Sequence, residues 1–271
     1  MTFVAIEGVI GVGKTTLSRY LCEALNATLV LEVFEENPFL SSFYTDRDRY
    51  AFQTQMFFLL SRHQQLRELE RFPRPIVSDY MFAKDKLFAT QTLQGDELAM
   101  YERVYAALSE TTAHPDFVVY LRADTPTLMR RIAFRDRPYE RNMDETYIDG
   151  LRVAYDRFFA NYSVSHVITI DTNDLDYVHN DDDRNHILQR ILSRIQAGLH
   201  QPVLPGLDTQ AQPQTSHTPL NIYQPETATE NDSQHRLRAE LTGAFHSLLN
   251  IADAAGIEMN PSDLLTIDRN Q

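Results

Sequence analysis

Five short stretches of the chain are almost continuously apolar: Phe3–Ile6, Leu29–Glu32, Ile76–Asp79, Phe117–Leu121 and Val167–Ile170. Runs of this length read as strands buried on both faces. Between them the apolar positions fall at helical spacing. Tyr50 to Leu69 is the longest such stretch, and Asp96 to Ala113 is another. Asp124-Thr125-Pro126 supplies a cap and a first-turn proline for a helix running toward Arg135. Strands alternating with helices predict an α/β fold, a five-stranded parallel sheet with helices on both faces.

The alternation stops near Leu199. From Gln201 to His235 there are five prolines, no Lys or Arg, and many Gln and Thr. Such a segment buries too little apolar surface to offset its ordering entropy, so 200–235 is expected to be a disordered linker. Helical spacing returns over Arg236–Ala255, where Leu237, Leu241, Phe245, Leu248, Leu249 and Ala252 share one stripe. The predicted organisation is a folded domain over 1–199, the linker, and an amphipathic helix with its tail over 236–271.

Chemistry enters at the end of the first predicted strand. Gly8-Val9-Ile10-Gly11-Val12-Gly13-Lys14-Thr15 is a complete P-loop motif in strand–loop–helix context. Its glycines let the backbone turn its N–H groups toward phosphate oxygens, and the helix N-terminus adds partial positive charge. The expected ATP-binding set is Gly8, Gly11, Val12 and Gly13, with Lys14, Thr15 and Thr16 at the helix start. Lys14 reaches the outer phosphates and the Thr15 hydroxyl is placed to ligate Mg2+. A P-loop alone does not choose between kinase, ATPase and GTPase.

Composition narrows the partners. The 271-residue chain carries a formal charge of -13 and a pI near 5.1, which argues against duplex nucleic acid. The single cysteine, Cys22, is expected in the core and gives no disulfide framework, consistent with a reducing, cytoplasmic setting. No apolar run approaches the ~20 residues of a membrane span, and no leader segment is visible.

Individual residues beyond the P-loop suggest further roles. Glu32 closes the strand expected beside the P-loop strand, where parallel sheets bind ligands. A carboxylate there can accept the proton of an attacking hydroxyl, or it can cap a loop or pair with a lid arginine. Asp79, at the end of the third strand, is the candidate to hold Mg2+ with Thr15, directly or through water. Gln55 and Arg62 are seven residues apart and share one helix face. A glutamine offers a donor and an acceptor side by side, which suits a nucleobase edge. Arg131, Arg135 and Arg137 have no matching run of acids and read as an Arg-rich lid that closes over ATP phosphates. Glu35 and Glu36 read as solvated. Phe52, Phe57, Phe58 and Phe82 read mainly as core, with Phe82 and Phe52 the candidates to stack on a base.

Taken in order, these segments resemble the deoxynucleoside kinase family. The resemblance rests on Glu32 with Glu35-Glu36-Asn37-Pro38-Phe39, on Tyr44, on Tyr50 to Arg62, on Ser78-Asp79-Tyr80 to Phe88, and on Arg130 to Glu140. It covers roughly residues 1 to 195. It implies a P-loop kinase fold and ATP-dependent phosphorylation of a deoxynucleoside 5′-hydroxyl. It also implies that Glu32 is the catalytic carboxylate and that Gln55 reads the base. In such kinases the residue matching Arg62 pairs with the one matching Asp85, and Tyr44 and Glu140 match the positions that bond the sugar 3′-hydroxyl. Asp171 and Thr172-Asn173-Asp174-Leu175 resemble the adenine-side loop. Tyr80 departs from the family pattern, which carries an arginine there, so one cation of the reacting centre is missing, and the lid arginines could compensate.

The expected partner is a small deoxynucleoside, with a purine favoured and deoxycytidine next, and the expected assembly is a homodimer. One alternative is a thymidylate-kinase-like enzyme, which would need Arg47 and Arg49 near the acceptor. Another is a regulator that binds nucleotide without turnover.

Overall fold

The computed structural model describes residues 2–199. The expected linker and C-terminal helix lie outside the described residues.

Five strands form one parallel sheet: β1 (Phe3–Glu7), β2 (Thr28–Val30), β3 (Ile76–Ser78), β4 (Phe117–Arg122) and β5 (His166–Asp171). Their spatial order is β2-β3-β1-β4-β5. The chain runs outward from β1 to β2, returns to β3, then crosses β1 to reach β4. The strand order therefore reverses at β1, and the crevice beyond its carboxyl end is where such sheets bind ligands. Glu32, the P-loop and Asp79 all lie beyond the carboxyl ends of adjacent strands.

Eight α-helices complete the described fold: α1 (Lys14–Leu25), α2 (Leu40–Thr45), α3 (Arg47–Arg67), α4 (Lys84–Thr92), α5 (Gly95–Ser109), α6 (Thr125–Arg135), α7 (Glu145–Ala160) and α8 (Asp181–Leu199). α1 packs on β1, β2 and β3 and meets α8, which packs on β5; α3, α4, α5 and α7 contact one another in a second layer. Every residue of β1 is buried, as a strand covered on both faces requires. None of the described helices is long and apolar enough to cross a membrane.

The sequence pattern locates all five strands, with differences at their ends. β2 stops at Val30, so Glu32 sits in the loop beyond the strand rather than at its last position. β5 is an edge strand among the described residues, and from Ile168 to Asp171 its burial alternates, with Ile168 and Ile170 on the covered face and Thr169 and Asp171 on the exposed one. α3 begins earlier than the apolar pattern, at Arg47, because Asp46 caps it by accepting from the Arg49 N–H at 3.3 Å. The cap expected at Asp124 is present, its carboxylate accepting from the Thr127 N–H at 2.9 Å. Cys22 lies in the core, its thiol donating to the Ala27 carbonyl.

Candidate active site

The P-loop leaves β1 through Gly8 and closes onto α1 through Gly13. Both have positive φ, 149° and 102°, and neither has room for a side chain. A β-carbon on Gly8 would stand 2.5 Å from the Leu121 carbonyl oxygen, and one on Gly13 would collide with the Tyr177 hydroxyl. Tyr177 donates to the Val12 carbonyl at 2.8 Å, so the loop after β5 clasps the P-loop. Lys14 Nζ donates to the carbonyls of Gly8 at 2.8 Å and Val9 at 3.1 Å. Its enclosure, and then the nearby charge of Lys84, bring its pKa down to about 8. The Thr15 hydroxyl donates to Asp79 Oδ2 at 2.6 Å, while Asp79 Oδ1 accepts from the Glu32 N–H at 2.8 Å. Burial, and then the Glu32 charge, push the Asp79 carboxyl up.

Behind the P-loop lies Glu7, only 1% exposed. Its Oε1 accepts from the Met81 N–H at 2.7 Å, and its Oε2 accepts from the Gly8 N–H and the Tyr155 hydroxyl. Burial raises its pKa.

The acceptor half of the cleft is built around Glu32. Arg62 of α3 reaches Glu32 Oε1 through both Nε and a terminal nitrogen, and reaches Asp85 through the other terminal nitrogen. Lys84 Nζ donates to Glu32 Oε2 at 2.5 Å. Arg62, Lys84 and Asp85 are all buried. Burial alone would raise the Glu32 carboxyl; the charges of Arg62 and Lys84 overcome it and hold the group well below the usual carboxylate range. Gln55, 2% exposed, lines the same cleft, as do Phe58 and Phe88. The Arg62 guanidinium lies over the Phe58 ring at 4.4 Å. Across the cleft, Tyr44 stacks on Tyr139 at 6.0 Å, and buried Glu140 accepts from Arg135 at 2.6 Å.

A P-loop lysine and a caged carboxylate thus face one cleft, and the chain around them matches a known family along nearly all of the described residues. The deoxynucleoside kinase profile matches residues 4–196. Deoxyguanosine kinase of Bacillus subtilis is 33% identical over 197 residues, covering 70% of this chain and 95% of that protein. The deoxyadenosine/deoxycytidine kinase of the same organism is 26% identical, covering 72% and 93%. The structure of deoxyadenosine kinase from M. mycoides with bound dATP superposes with a TM-score of 0.63 at 25% identity, covering 71% of this chain and all of that one.

The chain belongs to the deoxynucleoside kinase family. Like its relatives it is an ATP-dependent phosphotransferase built on the P-loop kinase fold.

Several expected residues meet in the cleft of this kinase: Gly11, Lys14, Thr15, Glu32, Tyr44, Gln55, Arg62, Asp79, Arg135, Arg137 and Glu140 all line it. Asp85 stands directly behind Arg62. Other expectations need correction. Phe82 does not line the cleft; it is buried and stacks on Tyr105 of α5 at 5.0 Å, whereas Phe58 and Phe88 are among the aromatic residues that do line it. The lid arginines are not a cluster of unpaired cations. Arg135 and Arg137 share Glu140, and Arg131 donates to the Thr172 and Leu175 carbonyls, tying the loop after β5 to α6. Asp171 is exposed at the end of the edge strand, where its carboxylate accepts from the Asn173 N–H within its own turn. Arg47 pairs with Asp144, Arg49 lies against the Tyr50 ring, and neither lines the cleft, which removes the basis for a monophosphate acceptor.

Lys84 is the functional candidate that sequence reasoning missed. It sits in Ala83-Lys84-Asp85-Lys86, an alternating charged run that resembles a solvated helix start. Lys86 does fit that description, 54% exposed opposite Glu102, whereas Lys84 is 5% exposed. Tyr80 is fully buried. Its hydroxyl donates to Gln65 Oε1 at 2.5 Å, and Gln65 Nε2 donates to the Leu31 carbonyl at 2.9 Å. Tyr80 therefore braces the loop that carries Glu32, and the nearby cation is Lys84 rather than a lid arginine.

The magnesium expected at Thr15 and Asp79 fits the chemistry of the donors there. Among the described residues no group of three His, Cys, Asp or Glu could hold a metal. The protein offers one hydroxyl and one carboxylate, already 2.6 Å apart. That suits Mg2+, which keeps waters and takes phosphate oxygens for its other positions.

Proposed function

We propose that this kinase transfers the ATP γ-phosphoryl group to the 5′-hydroxyl of a deoxynucleoside in nucleotide salvage, with purines favoured and deoxycytidine next. The observation that carries this reading is Glu32, a carboxylate caged by Arg62 and Lys84 in the same cleft as Lys14 and the Thr15–Asp79 pair. A carboxylate held so acidic is a weak base. In a loose phosphoryl-transfer transition state it need only orient the hydroxyl and take its proton late. Lys14 would stabilise charge on the transferring group, with Arg135 and Arg137 added from the lid as Glu140 is shared with the sugar. Tyr44 and Glu140 would bond the 3′-hydroxyl, and Gln55, backed by Arg62 and Asp85, would read the base. Mg2+ held by Thr15 and Asp79 would neutralise phosphate charge. The purine preference draws on the similarity to a deoxyguanosine kinase and a deoxyadenosine/deoxycytidine kinase.

The test is a panel of the four deoxynucleosides with ATP and magnesium, followed by ADP release. Turnover with a purine deoxynucleoside above thymidine is expected. ADP release independent of any nucleoside would overturn the reading, and a thymidine preference would overturn the base assignment. A homodimer is proposed as the assembly, and its light-scattering mass is the check.

A further inference from the structure

The Gln55 amide is held from behind. Its Nε2 donates to the Thr92 hydroxyl at 3.2 Å, near the end of α4. That hydroxyl has one proton, and it donates it to the Phe88 carbonyl one helical turn earlier, at 2.9 Å. While its proton is used there, the Thr92 oxygen accepts, and it takes the NH2 group of Gln55. The opposite orientation of the amide would require the hydroxyl to turn away from the Phe88 carbonyl and give up that bond. Among the described residues, Oε1 has no hydrogen-bond partner, although Gln55 is 2% exposed and lines the cleft. A buried acceptor without a partner is costly unless a ligand supplies the donor.

Bases divide by the order of donor and acceptor on their pairing edge. Adenine and cytosine carry an amino donor beside a bare ring nitrogen. Guanine and thymine carry a carbonyl acceptor beside a ring N–H. One glutamine amide complements either class, but only one class in each orientation. A glutamine free to turn over would therefore discriminate poorly between them. We propose that Thr92, through its bond to Gln55, fixes which of the two classes this cleft accepts. This rests on the reading above that Gln55 meets the base. Thr92 does not line the cleft, so it is a positioning residue.

The experiment measures kcat/KM for deoxyadenosine and deoxyguanosine, which differ in edge pattern but not in ring size, and for deoxycytidine and thymidine. Thr92→Val removes the hydroxyl at nearly constant volume, and Thr92→Ser keeps it. In Thr92→Val the deoxyadenosine-to-deoxyguanosine ratio should move toward one by roughly 5- to 10-fold, the scale of one hydrogen bond. In Thr92→Ser the ratio should stay within about twofold of the starting protein. A role in packing alone would lower all four values together, and an unchanged ratio in Thr92→Val overturns the proposal. So does a ratio near one in the unsubstituted protein, or a ratio lost equally in Thr92→Ser. If Thr92→Val does not fold, Thr92→Ala is read by the same ratios. If the unsubstituted protein phosphorylates none of the four, the proposed function itself fails and this inference falls with it. Activity with an unmoved ratio defeats only the role of Thr92.

Discussion

The two halves of the cleft hold their charges differently. On the acceptor side Glu32, Arg62, Lys84 and Asp85 form a closed set in which carboxylates meet cations directly. On the phosphate side Lys14 and Arg131 rest on neutral carbonyls, while Arg135 and Arg137 share one carboxylate. A carbonyl yields a cation to an incoming phosphate far more readily than a carboxylate does. The acceptor half is thus preorganised, whereas on the phosphate side Lys14 and Arg131 rest on partners they can exchange. Orienting a weak nucleophile needs fixed geometry, and gripping a polyanion needs cations that can be released to it.

The sharpest break of this comparison is Lys14→Ala. It removes the cation nearest the phosphates without touching the core, and kcat should fall on the order of 10³-fold at unchanged thermal stability. Near-normal turnover by the folded variant would show that the P-loop is not the phosphate clamp.

Glu32→Gln attacks the other half. It keeps the shape but leaves Arg62 and Lys84 short of a negative charge. A drop in kcat of about 10²-fold is expected, with nucleoside affinity little changed. A kcat within a few-fold of the starting enzyme would make Glu32 a structural residue.

Lys84→Met probes the link between the halves, because Lys84 acts on both Glu32 and Lys14. Without its charge the Glu32 carboxyl rises and the Lys14 ammonium rises. The carboxylate is needed in its charged form, so activity is lost as pH falls through the Glu32 pKa. The ammonium is also needed charged, so activity is lost as pH climbs through the Lys14 pKa. Both limbs of the pH–rate profile should therefore move to higher pH, with kcat down roughly tenfold. A uniform loss with fixed limbs would reduce Lys84 to packing.

In the unsubstituted protein, Lys14 titrates at about 8. ATP favours its protonated form. Above that pH, binding must take up a proton, and ATP affinity should weaken by up to about tenfold per pH unit. Calorimetry in two buffers of different ionisation enthalpy would detect the uptake, and a flat affinity across this range would contradict it.

The smallest effect is expected from truncation after Leu199, since every residue assigned to the cleft precedes it. kcat/KM should stay within about twofold, with changes confined to assembly or solubility. A folded but inactive truncation would put the C-terminal segment inside the catalytic unit.

The sequence was most legible where backbone geometry dictates residue type. The P-loop glycines, the strands and the Asp124 cap can be read directly because few residues tolerate those conformations. The pairing of Arg62 with Asp85 is implied by family resemblance, whereas the contact of Glu32 with Arg62 is visible only in the structure, since spacing cannot place residues of different elements together. Lys84 was hidden because burial of a lysine depends on tertiary packing, and its neighbours give it a surface-like pattern. The pairing of Arg135 and Arg137 with Glu140 is not legible in the sequence, because Glu140 lies in the short turn after α6, beyond the reach of helix-face reasoning. Under the proposed function Arg62 would be a poor specificity switch, because it contacts Glu32 through two nitrogens and its replacement would disturb that carboxylate as well.

Glu7 sets a limit on how far this chain can drift. Its two oxygens serve three donors, from the P-loop, from the turn after β3 and from α7. Glutamine has the same length but would turn an NH2 toward one of those N–H groups, and aspartate is one methylene too short to reach them. Glutamine fails on the count of acceptors and aspartate on reach. Position 7 is therefore intolerant of substitution for reasons of hydrogen-bond valence and length together, although neither substrate is assigned to it.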